Sequence, residues 1–174
     1  MDLPSRLEQA LTKLYTAFYQ DRLDPENCRY CAVGNICDNQ DFWKHFTDLH
    51  GSEQLNYLGR LNEEFGKRFK GYSPKELLKI EAVFLKGCGY TFSPRKRLLK
   101  PAEKIDRDMM FNGLYSVVAY LCALDGLSNV MDVSCWFEAA MLQCMNEGMQ
   151  EYSNAAMLQC GNEGFTFNFT TFHE

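Results

Sequence analysis

Ser73-Pro74-Lys75-Glu76-Leu77-Leu78-Lys79-Ile80-Glu81-Ala82-Val83-Phe84-Leu85-Lys86-Gly87-Cys88-Gly89 holds both ends of an α-helix and the face that buries it. The Ser73 hydroxyl is placed to accept from the Glu76 amide while the Glu76 carboxylate reaches back to the Ser73 amide. Pro74 supplies the φ that a first helical residue needs. Leu77, Leu78, Ile80, Glu81, Phe84 and Leu85 recur at helical spacing, and Gly87-Cys88-Gly89 stops the run.

The same signals extend in both directions. Behind a cap at Ser5, the residues Leu7, Leu11, Leu14, Tyr15, Phe18 and Tyr19 predict a first helix, closed by Pro25. Residues 28–39 contain Gly34, Asn35 and Asn39 and read as a knuckle loop. Helical pattern resumes over residues 40–49, with Gly51 as its stop. A weaker helix is predicted over residues 54–69, interrupted by Gly59 and Gly66. Residues 93–100 form a basic linker bounded by Pro94 and Pro101. Two further helices are expected near residues 102–124 and 130–146. Strand signal is confined to Phe165, Phe167 and Phe169, which alternate with Thr and Asn.

The fold class that follows is mainly α, a small helical bundle with an N-terminal Cys/His metal knuckle. Residues 1–92 are the helical domain, with the knuckle at 28–50. Residues 101–174 are an acidic, Met- and Cys-rich helical segment packing on it. That segment repeats itself over 139–148 and 155–164: Ala139-Ala140-Met141-Leu142-Gln143-Cys144 returns as Ala155-Ala156-Met157-Leu158-Gln159-Cys160. An offset of 16 residues puts the copies on different sides of a continuous helix, so two short helices ended by Gly148 and Gly164 fit better. Two copies are too few for a solenoid, and a local duplication is the simpler origin.

Composition restricts the classes open to this chain. Hydrophobic residues make up 46 % of it, enough for a core and too many for a disordered protein. The N-terminal Met-Asp-Leu-Pro-Ser-Arg has no basic start followed by an apolar run, so no secretory signal is expected. The most apolar stretch, residues 109–124, is shorter than the ~20 residues a bilayer helix needs and is interrupted by Asn112, Gly113 and Ser116. A cytoplasmic protein without membrane insertion is the expectation, and in that compartment its eight cysteines are free thiols or metal ligands. The net charge of −5 is unevenly spread: residues 60–107 carry 13 Lys or Arg against 6 acids, whereas residues 108–174 carry none against 8. Pairing between these segments accounts for the imbalance more simply than nucleic acid does.

The chemistry concentrates in Cys28-x2-Cys31, thirteen residues, then His45-x4-His50, the ligand order of a zinc site with two cysteines and two histidines. Ile36 and Phe42 take the apolar places of a ββα finger, but Asp38, Asp41 and Asp48 would repel phosphates. The expected site is therefore structural zinc and not a DNA reader. Cys37 is the alternative ligand, and Asp48 is the candidate carboxylate to accept the other ring N–H of a ligating His.

Competing chemistries have less support. An iron–sulfur centre would draw on Cys28, Cys31, Cys37 and a distant thiol such as Cys88, at a spacing unlike the common ferredoxins. Arg95, Lys96, Arg97 and Lys100 would serve an anion- or RNA-binding module. The apolar-face Glu81 and the pair Glu63-Glu64 offer carboxylates for a metal, but no Glu-x-x-His motif accompanies them. Met141, Cys144, Met145 and Met149 read as adaptable core filler before they read as a copper site. Gly59, Gly66 and Gly71 lack the context of a phosphate loop.

Cys28-Arg29-Tyr30-Cys31-Ala32-Val33-Gly34-Asn35, Trp43-Lys44-His45, His50-Gly51, Leu55-Asn56-Tyr57 and Phe84-Leu85-Lys86-Gly87-Cys88-Gly89-Tyr90 resemble short soluble proteins of Bacteroidetes. These carry the name of the flavoprotein component of the Na+-translocating NADH:quinone reductase, and the resemblance covers residues 1–92. The flavoprotein of that name has a membrane anchor, a plant-type 2Fe–2S loop and an Arg-x-Tyr-Ser FAD motif. None stands in this sequence, so the resemblance implies no NADH oxidation and assigns no catalytic residue. The expected role is a non-enzymatic, zinc-stabilised accessory or protein-interaction factor with an unknown protein partner. A small redox accessory protein is the alternative.

Overall fold

The computed structural model describes residues 4–92 and 98–131. Its elements are α1 (Ser5–Tyr19), α2 (Ala32–Ile36), a short 3-10 helix (Phe42–Phe46), α3 (Tyr57–Glu64), α4 (Pro74–Gly87), β1 (Thr91–Phe92), β2 (Leu98–Leu99) and α5 (Arg107–Leu124). The described chain is mainly helical, and none of its helices is long and apolar enough to cross a membrane. The expected helix over 130–146, the repeat at 139–148 and 155–164 and the strand signal at 165–169 lie outside the described residues, apart from Val130 and Met131. So do Arg95, Lys96 and Arg97.

Helix α4 is built as its sequence predicts. Ser73 Oγ accepts from the Glu76 amide at 3.3 Å, and Glu76 Oε2 accepts from the Ser73 amide at 2.7 Å. The Ser73 hydroxyl also donates to Glu63 Oε1 at 2.9 Å, and Glu63 Oε2 accepts from the Lys75 amide at 2.9 Å, which joins the end of α3 to the start of α4. Ser73→Ala removes a cap and a link between two helices, and is expected to cost about 1–2 kcal/mol. The denaturant midpoint checks this, and an unchanged midpoint would mean that water replaces the cap without loss.

Other boundaries depart from the periodicity for identifiable reasons. Pro4, not Ser5, occupies the N-cap of α1, and no side chain caps that end. Residues 40–49 form only the 3-10 helix at Phe42–Phe46, because Asp38 and Asn39 sit at φ 58° and 59° and break the chain's entry into a longer helix. Helix α3 is half its expected length. Asn56 Oδ1 accepts from the Gly59 amide at 3.0 Å and so sets its start, while Gly66 at φ +64° ends it. Similarly, Asp106 accepts from the Met109 amide at 2.8 Å and starts α5 there, several residues after Pro101. Leu98–Leu99 of the expected linker pairs antiparallel with Thr91–Phe92 just before it.

One core joins these elements. Leu7, Leu11 and Leu14 of α1, Val33 and Ile36 of α2, Trp43 and Phe46, the apolar face of α4, and Leu114, Val117, Val118 and Leu121 of α5 are all buried in it. The compact unit runs through Met131, so α5 shares it with the N-terminal helices. Helices α4 and α5 approach at glycines: a Cβ on Gly113 would lie 2.4 Å from Cys88 Sγ. The ends of the unit are tied by Arg6, whose Nε donates to Asp125 Oδ1 at 2.9 Å and whose Nη1 donates to the Gly71 carbonyl at 3.0 Å.

Candidate metal centre

The knuckle is a turn in which nearly every polar group has a designated partner. The amides of Tyr30 and Cys31 both donate to the Asn27 carbonyl at 2.8 Å. Cys31 is extended at φ −68°, ψ −179°, and its Sγ caps α2 by accepting from the Gly34 amide at 3.3 Å. The buried Asn35 donates from Nδ2 to the carbonyls of Tyr30 at 2.7 Å and Cys31 at 2.9 Å. Trp43 Nε1 donates to the Cys28 carbonyl at 3.1 Å and pins the turn to the 3-10 helix. These bonds hold Cys28 and Cys31 in one loop, as the Cys-x2-Cys spacing requires.

Facing this loop from α4 is Glu81, which is 0 % exposed. Its Oε1 lies 3.3 Å from His50 Nε2, and the Cys31 thiol, a weak donor, is the neighbour of its otherwise unpartnered carboxylate. An unpaired buried carboxylate oxygen costs several kcal/mol, on the order of 1–3 even when the group stays neutral. Burial pushes up the Cys28 and Cys31 thiols, and the Glu81 charge is the largest electrostatic contribution to both. Cys88 at the α4 C-cap is pushed to about 12 by burial and by the same carboxylate. Thiols held this high are protonated at neutral pH and make poor nucleophiles.

The other predicted residues stand apart. His45 is exposed, and the partner of its residue is Asn56, whose Nδ2 donates to the His45 carbonyl at 3.1 Å. Asp48 is also exposed and accepts from the same Asn56 Nδ2 at 3.0 Å, so its carboxylate serves Asn56 in place of a histidine ring. Cys37 caps the opposite end of α2 from Cys31. At ~1.5 Å of rise per residue the two positions are roughly 9 Å apart along the helix. Cys37 is pushed to about 12 by burial, with Lys13, Asp38 and Lys70 as its charged neighbours and not Glu81. The Cys28, Cys31, Cys37 trio of the iron–sulfur reading is thus divided between two ends of a helix.

Among the described residues, no three His, Cys, Asp or Glu side chains are placed together closely enough to hold a metal ion. What the fold does show is a carboxylate the spacing pattern did not include: Glu81 lies 3.3 Å from His50 and raises the thiols of Cys28 and Cys31. The sequence signal for it was an acid on the apolar face of α4, at Glu81. His50 also lines a cavity of ≈ 310 Å³ with Pro25, Glu26, Tyr90, Leu98 and Lys100. Lys100 in that cavity pairs with Glu26 at 2.7 Å, so this member of the basic segment is engaged within the protein. No protein-family model, curated protein or solved structure matches this chain.

Proposed function

We propose that this protein is a non-enzymatic helical protein of the cytoplasm, stabilised by one structural zinc ion and acting as an accessory or protein-interaction factor. The observation that supports the proposal is the hydrogen-bonded turn that holds Cys28 and Cys31 in one loop, with the buried Glu81 close enough to raise both thiols. Thiols and imidazole are the donors a structural zinc takes. Zinc would remove the thiol protons and compensate the buried negative charge. It would also fasten the knuckle loop to the start of the His50–Gly51 turn and to α4, three segments otherwise joined by packing and a few hydrogen bonds.

The interaction role has its own support. Tyr57 is 81 % exposed and Phe65 71 % exposed, with Leu58 at 46 %. Tyr57 and Leu58 belong to the first turn of α3, and Phe65 is the residue that caps its end. Exposed aromatics grouped near one helix are the kind of surface through which a partner protein can dock.

Purified protein should contain about one zinc per chain, and a strong chelator should lower its thermal midpoint by many degrees. Structural zinc contributes on the order of 10 kcal/mol in small metallo-domains. A metal-free protein that folds fully and whose midpoint does not move on adding zinc would end the proposal.

A further inference from the structure

We infer that the cavity between the start of α3 and the loop before it is a docking site for an acidic segment of a partner protein, with Arg60 and Lys75 receiving its carboxylates and Tyr57 its apolar side chains. The inference rests on the protein-interaction reading above and names the chemistry of that partner. Zinc plays no part in it.

The cavity has a volume of ≈ 610 Å³ and is lined by residues 47–49 and 52–56 of the loop together with Tyr57, Arg60 and Lys75. Short-range hydrogen bonds fix the loop wall. Thr47 Oγ1 accepts from the Leu49 amide at 3.3 Å, and Ser52 Oγ accepts from the Gln54 amide at 3.2 Å. The Asn56 amide donates to the Phe46 carbonyl at 2.9 Å and ties the end of the loop to the 3-10 helix. A wall set by such bonds stands before a ligand arrives, so binding does not have to order it.

The charges of the lining are unevenly used. Glu53 pairs with Lys79 at 2.6 Å, and Asp48 accepts from Asn56 Nδ2 at 3.0 Å. No carboxylate among the described residues forms an ion pair with Arg60 or Lys75, and with Lys79 counted the cations here outnumber the acids. Arg60 Nε donates to the Leu55 carbonyl at 3.2 Å, which orients the guanidinium and leaves its terminal nitrogens for a ligand. Leu49, Leu55 and Tyr57 line the same cavity, and Leu58, the next residue along, is exposed beside it. A bare phosphate would use the cations and leave this apolar lining in water. A peptide with carboxylates next to Leu or Phe uses both, and Tyr and Arg are the residues that most often carry interface energy. Two cations set among Asp48, Glu53 and the exposed Glu64 are too few to track a nucleic-acid backbone.

Fluorescence anisotropy on the full chain tests this with three probes: a labelled peptide alternating Glu and Asp with Leu and Phe, the same peptide with Gln and Asn replacing the acids, and a single-stranded RNA oligonucleotide. The acidic peptide should bind saturably and weaken as salt is added. Its affinity should fall about tenfold when Arg60→Gln and Lys75→Gln are combined, and several-fold in Tyr57→Ser. All three side chains are exposed, so these variants should melt with the parent. Amide shifts on adding the peptide to the parent should centre on residues 47–60 and Lys75, and this map decides even if a variant folds poorly. Equal affinity in the parent and the double variant, or shifts centred elsewhere, would overturn the cavity as the site. A neutral peptide bound as tightly as the acidic one, and lost in Tyr57→Ser, would overturn the acidic partner while leaving the protein-interaction reading intact. RNA that displaces the acidic peptide and binds more tightly would put nucleic acid in its place. If neither peptide binds, the inference and the reading beneath it both fall.

Discussion

Trp43→Ala is expected to lower the free energy of unfolding by about 3–5 kcal/mol, the range for removing a large aromatic from a close-packed interior. Trp43 is only 1 % exposed and is among the largest fully buried side chains. Its loss empties space under the knuckle and also removes the 3.1 Å bond from Nε1 to the Cys28 carbonyl. Trp43→Phe separates the two contributions: most of the volume stays, the donor goes, and the expected cost falls toward about 1–2 kcal/mol for a lost hydrogen bond and residual cavity. Equilibrium denaturation of both variants measures the difference. Equal costs for the two would show that the bond to Cys28, and not packing, dominates.

Gly34→Ala should also destabilise, although helix propensity favours Ala over Gly by about 1 kcal/mol. Gly34 lies inside α2, and a Cβ there would sit 2.4 Å from both the Arg29 and the Cys28 carbonyl oxygens. Those are backbone atoms of the knuckle itself, so the turn must open for the methyl to fit. Overpacking of this kind costs about 1–3 kcal/mol and occasionally more, which outweighs the propensity gain. On the zinc reading proposed above, affinity for zinc should fall in parallel, because opening the turn separates Cys28 from Cys31. Gly66→Ala is the control: nothing lies within 4 Å of its Cβ, and only its φ of +64° opposes the change. A Gly34→Ala protein as stable as the parent, by thermal melt, would show that the knuckle is loose.

The contrast between α4 and the segment from residue 40 to residue 56 explains which elements were legible. In α4 the cap, the first-turn proline, the apolar face and the glycine stop all agree, and the helix forms at Pro74–Gly87 as its residues predict. Between residues 40 and 56 the periodicity suggests a helix, but Asp38 and Asn39 take left-handed conformations and Asn56 recruits the carbonyl of His45 and the carboxylate of Asp48. Side-chain capping from residues outside the periodic stretch overrides the weaker pattern there. The β1–β2 pairing went unread for a related reason: a two-residue strand carries no periodicity to detect.

Cys28 and Cys31 share one turn by local chain geometry alone, since its hydrogen bonds run within a few residues. That much follows from the order of the residues, as do the helical class and the limits of α4. Where the two histidines go is a matter of packing: Trp43 and Phe46 bury one side of the 3-10 helix and leave His45 in water, while His50 reaches Glu81 from 31 positions away. The carboxylate that His50 meets comes from a helix whose own sequence marks Glu81 only as an acid on an apolar face. Local hydrogen bonds and periodicity act within a few residues and are written in the order of the chain. Convergence of distant side chains depends on how buried faces fit together, and that is decided only once the core has closed.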